Sequence, residues 1–161
     1  IFVANILLMS VIIRKTYLDH IQPYINKNLI KVFVGQRRVG KSYLMKMTAN
    51  YIAGQHPRAN IIFIDKEQYE FDTITDYHEL IKYVGSKLSA KNANYLFIDE
   101  IQEIAGFEKA LRHFQNKGHI DCYCTGSNAE ILSGELASRL SGRYITIPVN
   151  SLSYAEFLLF H

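Results

Sequence analysis

The 161-residue sequence has no tryptophan, only two cysteines, and nowhere more than two basic residues in a row. Two cysteines cannot build a disulfide framework, so a reducing compartment, the cytoplasm, is the simpler expectation. Basic residues outnumber acidic ones by 18 to 15; this excess is too small and too dispersed to argue for a nucleic-acid partner by itself. No apolar run reaches the roughly 20 residues that a membrane-spanning helix needs, and no membrane partner is expected. No internal repeat or low-complexity linker divides the chain. What is present reads as globular: 48% hydrophobic and 20% charged residues, with 11 Tyr and 9 Phe to fill a core.

Residues 1–13 form an apolar N-terminal segment broken only by Asn5 and Ser10. It does not fit a secretory signal, because Arg14 and Lys15 follow the apolar run and no small-residue cleavage site comes after it. The expectation is that translation begins at Met9, with residues 1–8 read from upstream; the other reading is a greasy segment packed on the domain. Residues 14–161 are expected to form one domain.

From residue 29 onward, short apolar runs alternate with stretches of helical period. Strands are expected over 29–34, 60–65, 94–99, 120–124 and 144–149. Helices are expected over 41–52, stopped by Gly54 and Pro57, and around Tyr77, Leu80, Ile81, Val84 and Leu88, with Asp76 as N-cap and Glu79 as its box partner. A third runs around Phe107, Ala110, Leu111 and Phe114 and closes at Gly118, and a last one over 153–160 is capped by Ser153. Near-continuous apolar strands alternating with helices mean an α/β fold: a parallel five-stranded sheet with helices on both faces. Ligands of such sheets sit at the carboxyl ends of the strands.

The first strand runs into Gly35-Gln36-Arg37-Arg38-Val39-Gly40-Lys41-Ser42, which fits G-x-x-x-x-G-K-[ST], and a helix runs straight out of it. The glycines permit a loop whose backbone N–H groups wrap phosphates at the positive end of the helix. Lys41 is placed to reach the β- and γ-phosphates and Ser42 to offer its hydroxyl to Mg²⁺; Tyr43 follows in the first helical turn. Arg37 and Arg38 either contact phosphate or face solvent.

The third strand ends in Asp99-Glu100. Asp99 is expected to hold Mg²⁺ opposite Ser42, and Glu100 to orient and polarise an attacking water. Asp65 also ends a strand, but Lys66 follows it, and a strand-end cap is the simpler reading. The fourth strand ends in Thr125-Gly126-Ser127-Asn128, where Ser127 or Asn128 is a candidate to sense the γ-phosphate; a turn capping a short helix over 129–132 is the compatible alternative. Arg139 and Arg143, in ELASRLSGRY, are candidates to complete the charge on a transition state, in cis or from a neighbouring subunit, with Arg143 ahead. Asn116-Lys117-Gly118-His119 lacks the Asp that reads guanine and reads as a helix terminus. Cys122 and Cys124 share a strand face and read as buried small residues. The six histidines form no metal pattern, and no basic stripe interleaves with the aromatics.

The blocks GQRRVGKS, LFIDEIQEI, TGSN and LSGRYITIPVNSLSYAEF, in this order, resemble the prokaryotic AAA-type P-loop ATPases known simply as ATP-binding proteins. The resemblance implies ATP and Mg²⁺ as ligands of Gly35, Gly40, Lys41, Ser42, Asp99 and Glu100, with Ser127 or Asn128 as sensor. It also implies a C-terminal domain beyond His161, often likened to a nuclease fold. The family pattern has Pro before its last LS; here Asn150-Ser151-Leu152-Ser153 stands instead, with Pro148 two residues earlier. The activities implied are ATP hydrolysis, a nucleotide-gated switch with slow hydrolysis or, less simply, a P-loop kinase. A homo-oligomer is compatible with any of these.

Overall fold

Five apolar segments pair side by side and all parallel in a computed structural model of the chain, which describes residues 13–126, 140 and 142–159. They are β1 (Ile30–Val34), β2 (Asn60–Asp65), β3 (Asn94–Asp99), β4 (Ile120–Gly126) and β5 (Tyr144–Pro148). The helices among the described residues are α1 (Lys15–Ile21), α2 (Lys41–Gln55), α3 (Tyr77–Lys87), α4 (Phe107–Lys117) and α5 (Tyr154–Leu159). The sheet order is β2-β3-β4-β1-β5. The chain therefore leaves β1, passes over β4 and β3 to the far edge, and returns strand by strand to β1's side. The order reverses around β1, the place where open parallel sheets hold their ligands.

Side chains alternate across the sheet, and each face meets its own helices. Ile62, Ile64, Leu96, Ile98, Cys122, Cys124, Val32 and Val34 pack with Leu80, Val84, Leu111 and Phe114 of α3 and α4. Phe33, Tyr95, Phe97, Tyr123 and Ile147 pack with Leu18 and Ile21 of α1 and Leu44, Met45 and Ile52 of α2. The expected two-sided α/β sheet is what forms. On the α2 face the register aligns Phe63, Phe97 and Tyr123 across β2, β3 and β4. Their rings stack at 5.8 Å and 4.6 Å between centroids. Phe97 and Tyr123 are fully buried, and truncating such a ring to Ala costs about 3–5 kcal/mol, so this row packs the strands together two residues before their polar ends.

Local chemistry sets the helix ends. Asp76 caps α3 by accepting from the His78 and Glu79 N–H groups. Glu79 reaches back as anticipated, but to the N–H and hydroxyl of Thr75 at 2.8 Å and 2.9 Å. Gly118, left-handed at φ 71°, closes α4. At α5 the Ser153 hydroxyl accepts from the Glu156 N–H while the Glu156 carboxylate accepts from the Ser153 N–H, a reciprocal capping box. One helix end needs correction: α2 does not stop at Ile52 but continues through Gly54 to Gln55. The expectations for residues 1–12, for Ser127, Asn128 and Arg139 and for a helix over 129–132 lie outside the described residues.

Candidate functional site

The row beyond the aromatic ladder is polar. Asp65 pairs with Asp99 in register, and the Ile98–Cys124 pair carries that alignment on to Thr125. Asp65 and Asp99 thus end β2 and β3, and Thr125 stands next to last in β4, all on the face that α2 covers. All three are buried. Thr125 donates its hydroxyl to Asp99 Oδ1 and accepts the Glu100 N–H at 2.9 Å. The Ser42 hydroxyl, in the first turn of α2, also hydrogen-bonds to Asp99. The Asp99 carboxyl is nevertheless held above the usual carboxylate range. Burial is the main cause; the Thr125 and Ser42 hydroxyls pull the other way, and the charges of Asp65 and Glu100 push it up again.

The loop between β1 and α2 lies beside this row. Gly35 is required sterically: a Cβ there would stand 2.4 Å from the Val149 carbonyl oxygen that follows β5. Gly40 is required conformationally, since φ is 96° where the loop turns into the helix. Lys41 is 5% exposed, and its ammonium donates to the Gly35 and Gln36 carbonyls at 3.1 Å and 3.0 Å. Gln36, Arg37 and Arg38 are exposed, Val39 and Tyr43 partly buried. Arg38 has φ 65° and Glu100 φ 53°, left-handed conformations that cost a non-glycine residue energy and cluster at functional sites. The Gln102 side-chain amide donates to the Glu100 carboxylate.

Asp65 behaves as the strand-end cap that was the simpler reading. It accepts from the Glu67 N–H at 3.2 Å and the Gln68 amide at 2.8 Å, with Lys46 at 3.8 Å. Arg143 is not brought to the loop. Its carbonyl accepts the Ile30 N–H at the start of β1, and its guanidinium donates to Asn116. The phosphate loop begins at the other end of β1, about 16 Å of strand away, so within one chain Arg143 cannot reach a γ-phosphate. Asn116 to His119 lie at the same amino end of the strands. Cys122 and Cys124 are buried in the α3–α4 core, where desolvation pushes both thiols up, Cys124 to about 12.

Two residues that sequence reasoning passed over stand out. Thr125 was in view as part of TGSN, and strand alternation from Tyr123 was the signal that could have found it. Arg14 carried no signal: it is 3% exposed, yet it pairs with Glu156, 142 residues away.

An ion held at Ser42 and Asp99 would meet only oxygen donors, which suits a hard cation such as Mg²⁺. Among the described residues no group of three or more His, Cys, Asp or Glu could hold a metal by itself, so water or ligand oxygens would complete its shell. Among the described residues, too, no helix is long and apolar enough to cross a membrane.

Comparison with known proteins agrees with this arrangement. An uncharacterised protein of Haemophilus influenzae is 36% identical over 151 residues, which are 92% of this chain and 38% of the relative. One of Methanocaldococcus jannaschii, MJ1544, is 35% identical over 135 residues, 83% of this chain and 29% of that protein. The chain thus spans well under half the length of these relatives. The solved structure of S. cerevisiae Hsp104 in complex with casein superposes with a TM-score of 0.71 at 18% identity, covering 98% of this chain and 30% of that one. The AAA_14 family, described as an AAA domain, matches residues 27–158. That match runs from just before β1 to α5 and takes in every strand of the sheet and the phosphate loop: the chain belongs to the AAA_14 family of AAA domains and is a P-loop NTPase in fold.

Proposed function

We propose that this domain binds ATP and hydrolyses its γ-phosphate anhydride with Mg²⁺. The observation that carries this reading is the convergence of Lys41, Ser42, Asp99 and Thr125 at the carboxyl ends of β1, β3 and β4, with Glu100 tied to the same threonine. The backbone N–H groups of residues 36–42 would hold the phosphates. Lys41 neutralises charge on the β- and γ-phosphates as a point charge. Ser42 and Asp99 would hold Mg²⁺, which supplies further neutralisation of the phosphate oxygens. Glu100 orients a water for in-line attack and takes its proton as the new P–O bond forms; the bond to the β-phosphate oxygen breaks and ADP leaves. ATP is chosen over GTP because Asn116-Lys117-Gly118-His119 lacks the guanine-reading Asp and lies at the opposite, amino end of the strands.

One observation favours a second reading, a nucleotide-gated switch with slow hydrolysis: the Glu100 carboxylate is already engaged by Gln102. Both readings share one site, so turnover separates them. Residues 14–161 would act as the ATPase domain of a longer protein, coupled to a further C-terminal domain, with a homo-oligomer as the working assembly. A role for Arg143 would belong to a neighbouring copy. Asn128 would be the γ-phosphate sensor.

The test pairs two variants. Lys41→Ala is expected to abolish nucleotide binding in a fluorescent-nucleotide titration. Glu100→Gln is expected to keep that binding and lower steady-state hydrolysis by about 10²–10⁴-fold. Unchanged hydrolysis in Glu100→Gln removes the water-activating role; unchanged binding in Lys41→Ala removes the phosphate-loop assignment.

A further inference from the structure

The block LSYAEF marks the family but lies outside the chemistry described so far. Its Glu156 leads to an arginine behind the phosphate loop. Arg14 Nε donates to Glu156 Oε1 at 2.8 Å, and Nη2 donates to Oε2 at 3.2 Å. The same Nη2 reaches the carbonyls of Asn150 and Ser151 at 3.1 Å and 3.4 Å, just beyond β5. Nη1 points to the Val39 carbonyl at 3.5 Å, and Nη1 is also the nearest atom to the space beside the Gly40 Cα. The guanidinium lies over the Tyr17 ring at 4.4 Å, and the Tyr17 hydroxyl accepts the Asn150 N–H at 2.9 Å. Burial works against the Arg14 charge, but Glu156 and Tyr17 together outweigh it, and the net shift is upward.

The geometry assigns a consequence to the contact with the loop. The Val39 C=O and the Gly40 N–H belong to one trans peptide unit and point in opposite directions. A cation that holds the Val39 carbonyl therefore also fixes the direction of the Gly40 N–H, which points away from Arg14. We propose that Arg14 is a positioning residue for nucleotide: it fixes the Val39–Gly40 peptide so that the Gly40 N–H faces bound phosphate, and Glu156 holds Arg14 in place. Lysine cannot do the same, because its ammonium lacks the planar fork that engages Glu156 with two nitrogens while a third faces Val39. This inference rests on the phosphate-loop reading above.

The experiment is a titration of the full chain with a fluorescent ATP analogue, together with ATPase kinetics and thermal melts. The variants are Arg14→Lys and Glu156→Gln, with Lys41→Ala run in parallel. Arg14→Lys is expected to weaken nucleotide binding about tenfold and to raise KM by a similar factor while leaving kcat nearly unchanged. Glu156→Gln, partly exposed and nearly isosteric, is expected to fold normally and to show a smaller loss in the same direction. Wild-type affinity in both variants, with or without a lowered Tm, overturns the inference, as does a loss confined to kcat. If Lys41→Ala binds as wild type does, the phosphate-loop reading fails first; if it does not bind while both other variants bind normally, only the role of Arg14 fails.

Discussion

Thr125 ties together the side chain of Asp99 and the backbone of Glu100. Its single hydroxyl donates to the Asp99 carboxylate and accepts from the Glu100 backbone N–H, so the two neighbouring acidic residues share one anchor. Glu100 is held at φ 53°, and the Thr125 bond to its N–H is one of the interactions that keep it there. Replacing Thr125 with Val preserves shape and removes the anchor. The Asp99 carboxyl then loses one of the hydrogen bonds that restrain its upward shift, and the Glu100 N–H is orphaned. Thr125→Val is expected to raise the Mg²⁺ concentration needed for half-maximal hydrolysis and to lower kcat, each on the order of tenfold. Nucleotide affinity without Mg²⁺ should stay near wild type. A magnesium titration of hydrolysis beside a metal-free binding curve checks this, and equal Mg²⁺ dependence in both proteins would count against the anchor.

At the scale of elements, β2 and β3 have the bounds read from NIIFID and NYLFID, because strands buried on both faces are unbroken apolar runs bounded by turn residues. The phosphate loop was legible for a related reason: its fixed residues are contiguous. The strand order was not legible, since parallel strands joined by helices carry no sequence mark of their neighbours. Of the two stops expected for α2, Gly54 does not act and Pro57 does. A glycine inside a helix costs about 1 kcal/mol, which fifteen residues packed on the sheet absorb. The helix ends instead at His56, with φ −129°, which precedes Pro57 and is thereby disfavoured in helical conformation. Helix α5 combines both cases. Its Ser153–Glu156 box is local and readable, whereas the tie from Glu156 to Arg14 is not. That tie has a pH signature. The Arg14 hydrogen bond holds the Glu156 carboxyl well below its ordinary value, at about 2, helped by the Ser153 N–H and hydroxyl and opposed by burial. A carboxyl depressed in the folded state stabilises the fold above its unfolded pKa and loses that contribution as pH falls through the folded value. In melts from pH 7 downward, wild type should keep a constant Tm advantage over Glu156→Gln to about pH 5 and lose it progressively toward the folded value of about 2. A gap between the two that does not change with pH would mean that ionisation of the Glu156 carboxyl is not what stabilises the fold.

At the scale of the molecule, the two ends of the sheet have separate duties. The carboxyl ends of the strands carry the polar row and the loop; the amino ends carry a buried ion pair between Lys31 of β1 and Asp121 of β4. Lys31 is fully buried, which draws its pKa down against the pull of Asp121. Its ammonium also donates to the Lys27 carbonyl at 2.8 Å. The other Asp121 oxygen accepts from the Tyr123 hydroxyl and the Asn26 N–H, each at 2.8 Å, and the Asn26 side chain accepts from Tyr95 at 2.7 Å. The network fastens the turn before β1 to β3 and β4, across the core from the site. Removing one charge should therefore harm stability and spare the chemistry. Asp121→Asn leaves Lys31 charged and unpaired and is expected to cost about 3–5 kcal/mol in urea unfolding. Adding Lys31→Met removes the stranded charge, while the amide oxygen introduced by the first substitution can still accept from the Asn26 N–H, so the double variant should recover most of the loss. Measured well below its unfolding midpoint, each variant should bind nucleotide within about twofold of wild type, since the ion pair touches neither Lys41 nor Asp99 and connects to the aromatic row beneath the site through Tyr123. A drop in affinity without a drop in stability would mean that the amino end of the sheet acts on the phosphate loop through β1, the strand that joins the ion pair to Gly35.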